Sequence, residues 1–149
     1  MDTGINKFEY VSSSSKDFDL PTRGTKSSAG YDFHSPVSFV LKPMETIRIS
    51  LEVKCRIKEG EFLMIVPRSS VGFKYNIRLW NTTGIIDSDY YNNPTNEGVI
   101  NLKISNYGNE DYVVQKNDRI VQGIFVKYDV TSDDDVSEER VGGLGSTGK

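Results

Sequence analysis

The 149-residue sequence has one cysteine, one histidine and no long apolar run. With Cys55 alone, no disulfide can form within the chain, and a reducing compartment is compatible with that usage. There is no His/Cys cluster, so a zinc site has no ligand set, and His34 reads as a surface or structural residue. No stretch approaches the ~20 apolar residues that a membrane helix needs. Met1 to Tyr10 contains Asp2 and Glu9 and no apolar run, so no signal peptide is expected. The formal charge of −3 gives no support to non-specific binding of DNA or RNA, which needs a basic surface. No strong amphipathic helix and no internal repeat is visible. The expectation is a soluble, intracellular, cytoplasmic protein with neither a nucleic-acid nor a membrane partner.

What is present has a period of two. Ile47, Ile49, Leu51, Val53, Cys55 and Ile57 alternate with Arg48, Ser50, Glu52, Lys54 and Arg56. That pattern predicts one long strand with one face buried. Phe62, Met64 and Val66 continue it, as do Ile100, Leu102 and Ile104. Residues 120–130 are largely apolar and β-branched, as in a strand buried on both faces. Turn signals separate these runs at 58–61, 92–98 and 106–109. A short helical turn after Pro67 fits the pattern. Many short strands at close spacing predict an all-β barrel or jelly roll.

The chain's last seventeen residues differ in kind. Asp133 to Glu139 carries five acids among seven residues and reads as a solvated linker. Gly142 to Gly148 holds four glycines, which lose much backbone entropy on ordering. Such a tail is a disordered end or a flap that orders over a phosphate-bearing ligand. Its backbone N–H groups, Ser146, Thr147 and Arg140 are suited to an anion. We therefore divide the chain into a β domain over 1–132 and a linker with a glycine-rich tail over 133–149.

Five segments are polar where a plain barrel would not need them. They are Ala29-Gly30-Tyr31-Asp32, residues 67–72 with Arg68, Ser69 and Ser70, residues 81–90 from Asn81 to Tyr90, residues 118–122 with Arg119 and Gln122, and the tail. Taken singly, each has a bland reading as a turn, a helix cap or a surface ion pair. Together and in this order they resemble the five motifs of the trimeric deoxyuridine triphosphatases (dUTPases), over residues 19–149.

That resemblance implies a distorted β jelly-roll barrel with a flexible glycine-rich C-terminal tail, assembled into a homotrimer. It implies active sites shared among subunits, the tail of one closing a site formed by the others. The implied reaction is Mg²⁺-dependent hydrolysis of dUTP to dUMP and pyrophosphate, which controls dUTP and supplies dUMP for thymidylate synthesis. Asp87 matches the general base that activates a water for attack on the α-phosphate. Asp32 matches the residue that orients the hydrated Mg²⁺. Arg68, Ser69, Ser70 and Gln122 match phosphate contacts, and Arg140 with Ser146 and Thr147 would cover the γ end. Asn81, Gly84 and Ile86 belong to the hairpin that reads uracil, and Tyr90 matches the aromatic packed under the deoxyribose. Leu144 and Gly145 belong to the tail that covers the base. The chemistry fits: a triphosphate needs cations and donors, and an ionised aspartate can orient and deprotonate a water.

The departures are local. Leu144 stands where the family has a phenylalanine that stacks on uracil. The gap between Arg140 and Gly142 is a residue shorter than in many members. Asn117 replaces a glycine before Asp118-Arg119, and asparagine tolerates the same left-handed turn. Residues 91–97 form an insertion expected at the rim of the site, where Tyr91 is a candidate substitute for the missing aromatic. Two other readings are a dCTP deaminase, which shares the fold, and a non-catalytic nucleotide-binding homologue. Gly84-Ile85-Ile86-Asp87 with the downstream Tyr90, and the presence of both Asp32 and Asp87, speak for the triphosphatase.

Overall fold

Alternation of apolar and polar residues builds an almost entirely β structure, seen in a computed structural model that describes residues 4–143. The strands are β1 (Lys7–Tyr10), β2 (Thr22–Arg23), β3 (Tyr31–His34), β4 (Phe39–Leu41), β5 (Thr46–Ser50) and β6 (Val53–Arg56), then β7 (Glu61–Pro67), β8 (Ile77–Leu79), β9 (Gly84–Ile86), β10 (Asn101–Asn106), β11 (Tyr112–Val114) and β12 (Arg119–Lys127). One helix, α1 (Ser69–Tyr75), and one 3₁₀ turn (Ser88–Tyr90) complete the set among the described residues. All strand pairs described are antiparallel. The largest sheet runs β2-β3-β12-β7-β9, a second runs β5-β10-β8, and β1-β6 and β11-β4 are two-stranded.

The expected long strand over residues 47–57 is two strands in different sheets. Its polarity alternates without a break, and Leu51, Val53 and Cys55 are all buried. The chain nevertheless turns at Glu52, whose φ is +56°. Before the turn β5 pairs with β10, and after it β6 pairs with β1. In β7 the buried face also differs from expectation. Leu63 and Ile65 point into the core, whereas Phe62, Met64 and Val66 are only partly buried. Every residue from Phe62 to Val66 is apolar, so the alternation carried no polar marker to tell the faces apart. β12 ends at Lys127, short of the apolar stretch's end, and Tyr128 and Val130 are exposed.

Other expectations hold. Ile100, Leu102 and Ile104 are buried. Asn117 takes the left-handed conformation at φ +75°, and its side chain accepts from Asp19 N–H at 2.8 Å. A helix does follow Pro67, but Ser69 and Ser70 lie in its first turn, and no side chain caps it. Asp133 to Glu139 is exposed.

The core joins the sheets through large side chains. Phe8 of β1 sits with ring centroids 5.4 Å from Phe33 and 5.7 Å from Phe125. Such pairs contribute about 0.5–1.5 kcal/mol beyond their buried area. Cys55 is 1% exposed, and burial pushes its thiol up to about 12. The thiolate is the reactive form, so the native protein should resist iodoacetamide at about pH 8. Mass spectrometry should show labelling only after denaturant is added; rapid labelling of the native chain would contradict the burial of β6.

Candidate active site

The hairpin after β8 forms one wall of a cavity. β9 pairs with β7, placing Gly84 opposite Ile65. A β-carbon at Gly84 would lie 3.1 Å from that of Ile65, so the backbone of the hairpin approaches the sheet closely. The resulting cavity of about 250 Å³ is lined by Asn81, Gly84, Ile86, Asp87 and Tyr90, with an apolar floor that includes Ile65 and Leu102. A mostly apolar pocket with a few convergent polar groups is the usual form of a small-molecule site. Asp87 follows β9 with its side chain 57% exposed.

The linker returns to this cavity. Arg140 Nη2 donates to Asp87 Oδ2 at 2.9 Å, and Nε donates to Asp89 Oδ1 at 2.6 Å. Its guanidinium lies 5.8 Å from the Tyr90 ring centroid, and its side chain is 9% exposed. Arg140 and Gly143 thus line the same cavity as Asp87. Asp89, a neighbour that could be confused with Asp87 in sequence, shares the arginine with it. Of the tail residues singled out above, Leu144, Gly145, Ser146 and Thr147 lie outside the described residues.

A second polar cluster forms on the largest sheet. Gln122 of β12 stands opposite Asp32 of β3 and Val66 of β7. Directly opposed residues share a face, and successive residues alternate faces. Asp32, Gln122 and Val66 therefore share one face, while Phe33, Gly123 and Ile65 turn to the core. Arg68 Nε donates to Asp32 Oδ1 at 3.2 Å, and Arg119 approaches Asp32 at 3.8 Å. Arg119 thus pairs with Asp32 and not with its neighbour Asp118, which accepts from Gln115 N–H. Gln122 Nε2 donates to the Pro67 carbonyl at 3.3 Å. A β-carbon at Gly30 would overlap the Gln122 amide and displace it from its place beside Pro67. Ser69 and Ser70 are exposed beside Arg68.

The chain brings together Asn81, Gly84, Ile86, Asp87, Tyr90 and Arg140 in one place, and Asp32, Arg68 and Gln122 in another. The cavity lies on the side that Ile65 faces, and the Asp32 cluster occupies the opposite face of the same sheet.

The insertion is a folded part of the body. Glu97 accepts from Lys54 Nζ at 2.7 Å and from the Ser12 hydroxyl at 2.9 Å. The Lys54 ammonium, then Ser12, holds the Glu97 carboxyl below the usual carboxylate range. This contribution is present above the ordinary glutamate range and is lost as pH falls through the lowered value. Tyr91 donates to Glu9 at 2.6 Å and accepts from Arg56 at 3.1 Å. It does not line the cavity, so the suggestion that it substitutes for the missing aromatic fails in this arrangement. Lys54, Glu97, Asn93 and Asn96 were not singled out from sequence. The alternation placed Lys54 on a solvent face, but it is 8% exposed.

This β barrel with a hairpin cavity is that of a nucleotide-processing enzyme family. The dUTPase family profile matches residues 16–148. The chain is 39% identical over 147 residues to the deoxyuridine 5'-triphosphate nucleotidohydrolase of Lactococcus lactis subsp. lactis strain IL1403, covering 97% of this chain and 98% of that one. The crystal structure of the dUTPase from Streptococcus mutans superposes with a TM-score of 0.75 at 33% identity, covering 84% of this chain and 98% of that one. The fold is also that of the dUTPase from phage phi11 of S. aureus, a protein that coordinates a structural Mg(II) ion; the TM-score is 0.71 at 22% identity, covering 90% and 97% of the two chains. The chain belongs to the dUTPase family, and its fold is the jelly-roll-like β fold of that family.

Arg140 should anchor the linker to the hairpin. The carboxylate partners are more than half exposed, which weakens the pairs, so Arg140→Ala should raise the rate of cleavage after Glu138 and Glu139 by a Glu-specific protease only about threefold to tenfold. An unchanged rate, followed by gel electrophoresis, would remove that anchoring role.

Proposed function

We propose that the chain hydrolyses dUTP to dUMP and pyrophosphate, with Asp87 as the general base. The observation that carries this reading is the Asp87 carboxylate at the mouth of the hairpin cavity. In the proposed pose, backbone groups of Gly84 and Ile86 and the Asn81 amide read the uracil edge. A site that hydrogen-bonds its substrate can reject a mismatched analogue by about 10⁴–10⁵. The Tyr90 ring lies beneath the deoxyribose.

Asp87 accepts a proton from a water whose oxygen bonds to the α-phosphorus. The bond from that phosphorus to the bridging oxygen breaks, and pyrophosphate leaves. Arg68, Ser69, Ser70 and Gln122 hold the phosphates, while Arg140, with Ser146 and Thr147 of the tail, covers the γ end. Leu144 and Gly145 close over the base. Arg140 sits on Asp87 and Asp89 here. A triphosphate would compete for that guanidinium and release the base. The product dUMP would feed thymidylate synthesis, and the free, buried Cys55 suits a cytoplasmic protein.

Mg²⁺ fits in one manner. Among the described residues no group of three His, Cys, Asp or Glu side chains can hold a metal, and Asp32 is engaged by Arg68 and Arg119. The donor set suits a hydrated ion carried by the phosphates, which Asp32 would hold through water. Such an ion, when bound, neutralises charge on the phosphate oxygens.

The two polar clusters lie on opposite faces of one sheet, so one chain cannot offer both to one substrate. A homotrimer with shared sites would bring one copy's Arg68 cluster to another copy's Asp87. Light scattering should give three times the chain mass. Mixing inactive Asp87→Asn and Arg68→Ala chains after refolding should restore part of the activity, and a fully active monomer would refute the sharing.

With dUTP as substrate, Asp87→Asn should lower kcat by about 10²–10⁴ with little change in affinity. The amide keeps the shape but cannot take the proton. Products from dUTP, dCTP, dTTP and UTP, separated by chromatography, check the assignment. Ammonia from dCTP with no cleavage of dUTP would overturn it.

A further inference from the structure

A wall that excludes a ribose 2′-hydroxyl discriminates only as far as it resists being pushed aside. The Tyr90 ring stands at such a wall, and the structure shows what holds it. Its hydroxyl donates to the Val99 carbonyl at 2.7 Å and accepts from Asn96 Nδ2 at 3.0 Å. Its backbone carbonyl accepts from Asn93 Nδ2 at 2.8 Å. Both asparagines belong to the 91–97 insertion.

The two asparagines are themselves fixed. Asn93 is 5% exposed, and its Oδ1 accepts from the N–H groups of Thr95 at 3.1 Å and Asn96 at 3.2 Å. Asn96 Oδ1 accepts from Asn93 Nδ2 at 2.7 Å and from Gly98 N–H at 3.0 Å. The outer end of the loop is tied down by Lys54, which donates to Asn92 at 2.6 Å and to Glu97 at 2.7 Å. A satisfied network of this kind stiffens the side chains it contains. The linker also meets it, since a β-carbon at Gly143 would lie 2.6 Å from Asn96 Nδ2.

We propose that Asn96 is a positioning residue that fixes the Tyr90 phenol and thereby sets discrimination between deoxyribo- and ribonucleotides. The inference rests on the reading of Tyr90 as the residue beneath the deoxyribose. Asn96 acts through Tyr90 and touches no reacting atom. Without the amide, the phenol keeps only its bond to Val99, and the ring can yield to an extra hydroxyl.

The test is kcat/KM for dUTP and for UTP in the wild type, Asn96→Ala, Tyr90→Phe and the double variant, with thermal denaturation alongside. The loss of one hydrogen bond corresponds to about tenfold. Asn96→Ala should raise the UTP-to-dUTP ratio of kcat/KM by about that factor, and Tyr90→Phe should do the same. Tyr90→Phe removes the Asn96 bond together with the one to Val99, so adding Asn96→Ala to it should bring little further rise. A lowered melting temperature with an unchanged ratio would reduce Asn96 to a loop-forming role and overturn the proposal. A full additive effect in the double variant would also overturn it. If Asn96→Ala does not fold, Asn96→Asp, which keeps the acceptor for Asn93 and Gly98 but cannot donate to the phenol, decides by its ratio, and an unchanged ratio overturns the proposal. A wild-type protein that turns over dUTP without preferring it to UTP would overturn the reading of Tyr90 itself. A wild type that does not cleave dUTP at all would instead remove the proposed activity, and with it this inference.

Discussion

β12 pairs along both edges, with β3 on one side and β7 on the other, and that double pairing positions both polar clusters. Alternation along the strand sends Val121 inward and Gln122 outward. Gly123 is packed closely, since a β-carbon there would lie 3.0 Å from Leu63 and Phe33, and those side chains would have to give way. The core therefore closes tightly behind the strand, and the register cannot slip by one residue without exchanging Gln122 for core positions. Through β7 the same register continues to β9, whose pairing with Leu63–Ile65 fixes where the hairpin and Asp87 stand.

Each polar cluster holds carboxylates and arginines together. Asp32 lies between Arg68 and Arg119, and Arg140 lies between Asp87 and Asp89. Arg140 is the sole Lys or Arg between residues 128 and 148, so the hairpin aspartates draw in the linker at one point. These pairs hold the guanidinium groups in fixed orientations. Arginine suits this role because its planar fork serves carboxylate and phosphate with the same geometry.

The insertion shows how a polar loop becomes rigid. Its sequence of asparagine, proline and threonine reads as an open connection, and the two asparagine amides turn it into a bonded network. The charges of Lys54 and Glu97 complete the attachment to β6 and to Ser12. None of this follows from composition, since asparagine in a turn is common whether or not its amide finds partners.

The order of the motifs and the period-two alternation made the family and the all-β class legible in the sequence. Ile100, Leu102 and Ile104 needed nothing more than their spacing. The asparagine at 117 was readable because few residues tolerate the left-handed turn it takes. Alternation sets which side chains share a face, because the strand backbone itself imposes the period. It does not set where a strand ends or which sheet it joins. The turn at Glu52 preserves the burial pattern while transferring the chain from β10 to β1, so only tertiary pairing reveals it. In β7, five consecutive apolar residues leave the two faces equivalent until Gly123 and Phe33 select Leu63 and Ile65. The meeting of Arg140 with Asp87 spans fifty-three positions, and that of Lys54 with Glu97 spans forty-three. Such contacts depend on charges brought near by the packed sheets, and local sequence carries no record of that distance.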